Sequence, residues 1–395
     1  MTTGNPRLPA YVLVSDEEAQ HYVEETQKGH YSLSPAEMFW KDRQPALENH
    51  GYSLRPRYRP GWTPSWIGTN FDPTFCEDSI MPLYYQIMDA TRQKDNVRVI
   101  IKRVPRDGDE ICISLFLSSP DLILLPNNHC VPLLDVLPDP FDISASLIIM
   151  PYLRPFNDPE FGAIGEVVDF IKQTLEGLQF LHSQRVAHRD CAAANIMMDG
   201  RPLYPNGHHP LRRNHTVDGI FEIPPLSRID HPVKYYFIDF DLSRHFPEGT
   251  APSVLGRVGR DKEVPELSSD TPYDAFKVDV YALANLYDKE FLQKYLGLDF
   301  LQPLIDDMKN VDPARRPSAD RALAKFMEIY SRLNSALLRW RLRSRTESTP
   351  ERVVYDTTLT ICSYSPFAAV ITVLLPSQTA ASRILLLDSL KNWLL

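Results

Sequence analysis

The feature that most restricts how this chain can fold is a set of short motifs in one order along 395 residues. His188-Arg189-Asp190 is followed, five positions after the aspartate, by Asn195, within VAHRDCAAANIMMDG. Tyr235 to Ile238 is an apolar, aromatic run that reads as a buried strand. It ends in Asp239-Phe240-Asp241. Val264-Pro265-Glu266 comes next, then Lys277-Val278-Asp279-Val280-Tyr281, then Asp312-Pro313-Ala314-Arg315-Arg316-Pro317-Ser318. Upstream, Val97-Arg98-Val99-Ile100-Ile101-Lys102 alternates like a strand and ends in a lysine. Glu110 is the only glutamate between Lys102 and His129. One such motif arises by chance; the ordered set demands a fold that brings distant polar residues together.

An acid that can accept a hydroxyl proton, a carboxamide at fixed short distance and a second acid after a buried strand are the parts phosphoryl transfer needs. There the protein mainly positions a nucleophile and screens charge on Mg2+ and phosphate oxygens. On these motifs the chain resembles the eukaryotic protein kinase superfamily over roughly residues 50–335. More narrowly it resembles a kinase-like family expanded in mushroom-forming (basidiomycete) fungi, with which it shares GYSLRPRYRPGW, NHCVPLLDVL and YYFIDF.

The resemblance implies an α+β, two-lobed kinase-like fold, with a small β-rich lobe and a large α-helical lobe, using ATP and Mg2+ on a protein substrate. Lys102 would hold the α- and β-phosphates and Glu110 would hold Lys102, so the helix carrying Glu110 must begin almost at once after the strand. Asp190 would orient the accepting hydroxyl and take its proton, and Asn195 and Asp239 would coordinate magnesium. Ile149 or Met150 would be the gatekeeper, with backbone amides near Tyr152 facing adenine. Arg189 marks an activation segment that would respond to phosphate on Thr250 or Ser253. His188, Asp279 and a Glu266–Arg316 pair would be structural braces.

Composition is compatible with this. A hydrophobic content of 43% can build a sizeable core, and a net charge of −9 argues against a nucleic-acid binder, which normally carries a basic face. Five cysteines without close-paired spacing, and no apolar leader after Met1, point to a reducing cytoplasm or nucleus. Cys191, inside the Asp190–Asn195 loop, reads as structural filler.

Residues 1–50 are polar and read as a helical extension, 51–152 as the small lobe and 153–335 as the large lobe. Strands are expected from Gly51 to Tyr58, Tyr84 to Arg92, Val97 to Val104 and Ser146 to Tyr152. Val168, Ile171, Leu175, Leu178 and His182 recur at three- and four-residue spacing, which predicts a helix over Gly165–Ser183. The stretch 200–232 is an insertion with four histidines among arginines; lacking cysteine and regular intervals, it reads as a flexible basic loop near the cleft rather than a zinc site. The tail, 336–395, is basic and then apolar. Its segment 359–375 is short for a membrane helix of about 20 residues, leaving a tail anchor as the weaker alternative to a docked tail.

Three departures bear on activity. Between the first two strands, where Gly-x-Gly-x-x-Gly would cover phosphates, the chain reads RPGWTPSWIGTNFDPTFCEDSIMP. Asp241 stands where a glycine would be expected to supply positive backbone angles, a position that Asp also tolerates. Ala192 and Ala194 replace the lysine or arginine of the catalytic loop, removing a cation and leaving hydroxyl specificity unread, with serine or threonine ahead of tyrosine on frequency alone. Two other functions compete with a protein kinase. One is a pseudokinase serving as an ATP-binding or scaffold module. The other is a small-molecule phosphotransferase of the aminoglycoside- or choline-kinase kind, which would lack Val264-Pro265-Glu266 and the Asp312–Arg316 motif.

Overall fold

The computed structural model describes residues 8–81 and 86–352. Two Ser-x-x-Glu sequences open its first helices, α1 (Asp16–Gln27) and α2 (Pro35–Asn49). In each, the serine hydroxyl accepts the amide of the glutamate, and the glutamate accepts the serine amide. That exchange satisfies two donors a bare helix end would leave unpaired. Pro35 suits the first turn of α2 because no N–H is needed there.

β1 (Tyr52–Leu54), β2 (Ile87–Arg92), β3 (Val97–Pro105), β4 (Asp135–Pro138) and β5 (Ala145–Pro151) form an antiparallel sheet in the order β1-β2-β3-β5-β4. Period-two alternation sends Val99, Ile101, Leu147 and Ile149 to one face, where Trp40 and Leu47 of α2 close a core. Buried ion pairs fix α2 there: Arg57 Nε lies 2.6 Å from Glu37 Oε1 and Arg43 Nη2 lies 2.9 Å from Asp139 Oδ1. The first strand is shorter than expected. It stops at Leu54, and Pro56, with no donor for a ladder, opens a 3-10 turn to Tyr58.

On the other face Ile148 packs with Val104 and with Ile111 of α3 (Asp109–Leu117), which starts four residues after β3 and is followed by the single turn α4 (Pro120–Ile123). The remainder is mainly helical: α5 (Ile164–Ser183), α6 (Ala275–Tyr287), α7 (Gln302–Met308) and α8 (Ala319–Ser331) surround a second, larger core. Val168, Ile171, Leu175 and Leu178 of α5 are buried in it, as their spacing predicts. Between sheet and helices lie β6 (Arg154–Pro155), β7 (Val186–Ala187), β8 (Ile196–Met198), β9 (Tyr235–Phe237) and β10 (Arg244–His245). They pair as β6-β8-β9 and β10-β7, so the loop 188–195 is held between short strands at both ends. The protein is thus α+β.

The insertion 200–232 differs from the flexible loop expected of it. Arg98 of β3 donates to the His208 carbonyl at 2.6 Å, and the Tyr152 hydroxyl to the Pro210 carbonyl at 2.8 Å. Arg154 donates to the Arg213 carbonyl, and Arg212 to that of Thr74. His209 is fully buried, its Nε2 3.8 Å from Glu77. The insertion is therefore docked on the exit of β5 and on the segment 55–81. No helix among the described residues is long and apolar enough to cross a membrane; the apolar stretch 359–375 lies outside them.

Burial pushes the imidazoles of His129 and His208 down to about 4. Both are neutral in the fold, so between about pH 4 and 6.5 the unfolded chain binds more protons and stability falls as pH drops through that window. The midpoint of urea unfolding should decline between pH 7 and 5, less steeply in His208→Gln; parallel profiles for the two proteins would refute this account.

Candidate functional site

The loop 188–195 takes its shape from one buried carboxylate. Asp279, in α6 and fully inaccessible, accepts the His188 amide at 2.8 Å and the Arg189 amide at 2.6 Å. His182 Nε2 of α5 lies 3.0 Å from the same carboxylate. Arg189 has φ of 65°, an angle L-residues seldom adopt without such anchoring. The His188 ring contacts the Ile238 carbonyl at 3.0 Å, and the Arg189 guanidinium donates to the carbonyls of Leu242 and Leu255 at 3.2 Å. The loop and the segment after β9 are consequently fixed to each other.

Lys102, in the second half of β3 (Val97–Pro105), points its ammonium at two acids. It lies 2.7 and 3.0 Å from the Glu110 oxygens and 2.6 Å from Asp239 Oδ1. Glu110 is the second residue of α3, so the short interval after Lys102 works because the helix begins at once. Burial alone would pull Lys102 down, but Glu110 and Asp239 together raise it above its ordinary value, and the ammonium stays charged. Asp190 and Asn195 form the other half: the Asn195 amide donates to Asp190 Oδ2 at 2.8 Å, and the Asn195 carbonyl accepts the Ile238 amide at 3.0 Å. A cavity of about 570 Å³ opens beside Lys102, Glu110 and Asp241.

Met150 is half-buried on β5, in register with Ile100, and Tyr152 follows that strand. The Tyr152 amide donates to the Arg98 carbonyl at 3.4 Å, and its ring is 5.6 Å from that of His208. Tyr152 is thus covered by the insertion. Glu266 and Arg316 pair through two contacts, 2.6 and 3.1 Å, and Arg316 also caps the carbonyls of Lys277 and Asn310. Cys191 is fully buried, which raises its thiol well above the ordinary value and keeps it from acting as a nucleophile.

Asp241 does not take the positive backbone angle expected of its position. Left-handed angles among the described non-glycine residues occur at Asn96, Arg185, Arg189 and Asp239, and Asp239 has φ of 67°. The conformational demand in Asp239-Phe240-Asp241 therefore falls on its first residue, and Asp241 carries no such strain. What distinguishes Asp241 is charge: partial burial, then Asp239, then Asp190, raise its carboxyl above the usual range.

Two residues of this site do not announce themselves in the sequence. His182 falls in register with the apolar stripe of α5, yet its ring meets the Asp279 carboxylate. Arg260 lies beyond any of the motifs, yet its backbone amide donates to Asp190 Oδ1 at 2.6 Å and its Nε is 3.6 Å from Asp190 Oδ2. The available signal was Gly259, whose positive φ permits that approach.

The chain matches no protein-family model. Over an alignment of 128 positions that covers 29% of the chain, the sequence is 31% identical to part of the putative ribosomal protein S6 kinase alpha-1 of Caenorhabditis elegans. The match spans 15% of that protein's length. The similarity supports a protein kinase-like relationship.

If Lys102 neutralises two acids, Lys102→Met should cost about 1–3 kcal/mol at pH 7.5, below the ~3–5 kcal/mol of an enclosed pair. The discount reflects an Asp239 side chain that is 29% exposed. Chemical denaturation at pH 7.5 and pH 4.5 checks it: the deficit should shrink in acid as Glu110, whose carboxyl burial raises above its usual range, protonates. An unchanged midpoint would remove the triad from the stability of the fold.

Proposed function

We propose that this chain is a two-lobed, protein kinase-like phosphotransferase that uses ATP and Mg2+ to phosphorylate a hydroxyl of a protein substrate. The observation that carries the reading is the contact of Lys102 with both Glu110 and Asp239, beside an Asp190 bonded to Asn195. In this reading the sheet with α3 is the small lobe, residues 153–335 are the large lobe, and the 55–81 segment replaces a glycine-rich cover. The narrower fungal resemblance rests on shared phrases such as GYSLRPRYRPGW, whose Arg55 and Arg57 are buried and paired with Asp89 and Glu37.

The donor set suits magnesium. With one Asp239 oxygen on Lys102 and the Asn195 nitrogen on Asp190, the other Asp239 oxygen and the Asn195 carboxamide oxygen remain for a hard cation. Bound there, magnesium would screen the charge of the phosphates. Lys102 would contact phosphate oxygens with Glu110 holding it in place, and Asp190 would hold the acceptor hydroxyl and take its proton. The chemistry needs water-poor, fixed groups, and the buried Asp190 and Asn195 meet that need.

A scaffold without turnover is the second reading. It is favoured by the packed segment 55–81, in which Trp62 and Ser65 both donate to Asp78, where a mobile phosphate cover would be expected. Transfer of radiolabelled phosphate from ATP to a mixture of protein acceptors separates the two. The kinase reading expects incorporation that Asp190→Asn abolishes while magnesium-ATP still raises the melting temperature. A hundredfold excess of ligand over Kd corresponds to roughly 2.7 kcal/mol of added stability. A shift without incorporation leaves the scaffold; neither signal defeats nucleotide binding altogether.

Because Asp241 contributes charge and not strain, Asp241→Gly should leave thermal stability nearly unchanged. It should raise transfer roughly threefold to tenfold, the scale of about 1 kcal/mol for a solvent-accessible charge pair. A lower rate would make Asp241 an added magnesium ligand.

A further inference from the structure

The loop that carries Asp190 lacks the cation its resemblance calls for, since Ala192 and Ala194 occupy the positions. The Ala192 amide donates to the Asp190 carbonyl at 2.8 Å, so position 192 lies directly beside the acid. A positive charge does reach that acid from elsewhere. Arg260, in the segment between Asp239 and Glu266, sets its Nε 3.6 Å from Asp190 Oδ2. The approach is built into the backbone. Gly259 has φ of 85°, and a Cβ there would stand 2.8 Å from the Arg189 carbonyl oxygen and 3.4 Å from Asp190 Oδ1. Only glycine lets the segment lie this close, and the next residue then donates its amide to Asp190 Oδ1 at 2.6 Å. The loop is held from below by Asp279, and so the partner cannot simply slide away.

Two consequences follow from the distribution of these contacts. The amide of Arg260 fixes one oxygen of Asp190, and the Asn195 amide fixes the other. Each carboxylate oxygen has a second lone pair, so a hydroxyl can still be accepted. The guanidinium is not consumed by this arrangement: its side chain is 61% exposed. An arginine in that place presents several donors and a charge that no pH in the working range removes.

We propose that Arg260 is the positioning residue that stands in for the missing catalytic-loop cation, orienting Asp190 through its amide and screening negative charge through its guanidinium. The proposal rests on the kinase reading above. In the step it serves, the acceptor oxygen bonds the γ-phosphorus, the bond from that phosphorus to the bridging oxygen of ADP breaks, and the hydroxyl proton passes to Asp190. Arg260 makes and loses no covalent bond.

The test uses the full chain, magnesium-ATP and the acceptor mixture, comparing wild type, Arg260→Ala, Arg260→Lys and the double variant Ala192→Lys/Arg260→Ala. Each variant keeps the backbone amide of residue 260, and melting temperatures confirm folding. Arg260→Ala should lower kcat about 10²-fold, the scale seen when one charge-stabilising donor is removed, with KM for ATP within about twofold. Arg260→Lys should retain most of the rate, and a lysine at position 192 should restore at least tenfold in the Arg260→Ala background, which a merely structural role would not allow. A rate in Arg260→Ala equal to wild type overturns this inference alone. A faster rate overturns it in the opposite direction, making Arg260 a plug on Asp190. Absence of transfer by the wild-type protein, with a magnesium-ATP melting shift intact, removes the kinase reading and this inference with it.

Discussion

A single ammonium shared by two carboxylates is the constraint around which this molecule is arranged. Lys102 comes from the sheet, Glu110 from a helix laid across its face, and Asp239 from the end of a strand that belongs to the helical core. Two acids brought that near one another repel strongly in a medium less polar than water, and the lysine converts the repulsion into a three-way attachment. The sheet and the helical region are thereby tied at the point where a ligand's charge would be placed. Apolar packing reinforces this link, since Ile113 and Leu117 of α3 lie in the helical core and Met150 of β5 packs both on that core and on the Val104–Ile111–Ile148 cluster.

A second fixed point faces it. The buried Asp279 organises the loop of Asp190 by bonding two successive backbone amides, and His182 fills out the coordination of that acid. A buried carboxylate is expensive unless its oxygens are satisfied, and three donors satisfy it here. The unusual backbone angles at Arg189 and Asp239 are then held by the surroundings, one beside each fixed point. Two of the four left-handed non-glycine residues among those described thus stand in the polar cluster, the kind of placement expected where chemistry rather than packing sets the conformation.

Much of this could be read from the chain because it depends on local order. Lys102 follows an alternating strand, Glu110 is the one glutamate available to it, and Asp239 terminates an apolar run; each reading needs only neighbouring residues. The helix α5 was legible from its apolar period for the same reason. The reading failed where tertiary partners decide. Pro56 shortens β1 because a ladder needs donors along its whole length. His182 sits in an apolar stripe yet serves a buried acid. Asp241 looked strained by analogy, whereas the positive angle belongs to Asp239. Arg260 was invisible because only the folded path of the segment 239–266 brings it to Asp190, some 70 positions back. The insertion 200–232 looks like a free loop because its composition is polar, while His208 is buried against Tyr152 and His209 beside Glu77.

That insertion, together with the segment 55–81, has a consequence for how the chain reaches its fold. The contacts that join them to each other and to β3 bridge 110 to 138 positions of sequence. Segment 55–81 is seated largely by its own surroundings, Arg57 on Glu37 of α2 and Trp66 on Thr26 of α1, but its contacts with the insertion need both parts in place. Closing such long loops early would cost entropy with little to offset it, so these contacts are expected to form after the rate-limiting step of folding. Interactions absent from that step add little to the speed of folding and mostly slow unfolding. The pair therefore acts as a late latch: it lengthens the lifetime of the assembled molecule rather than hastening its formation.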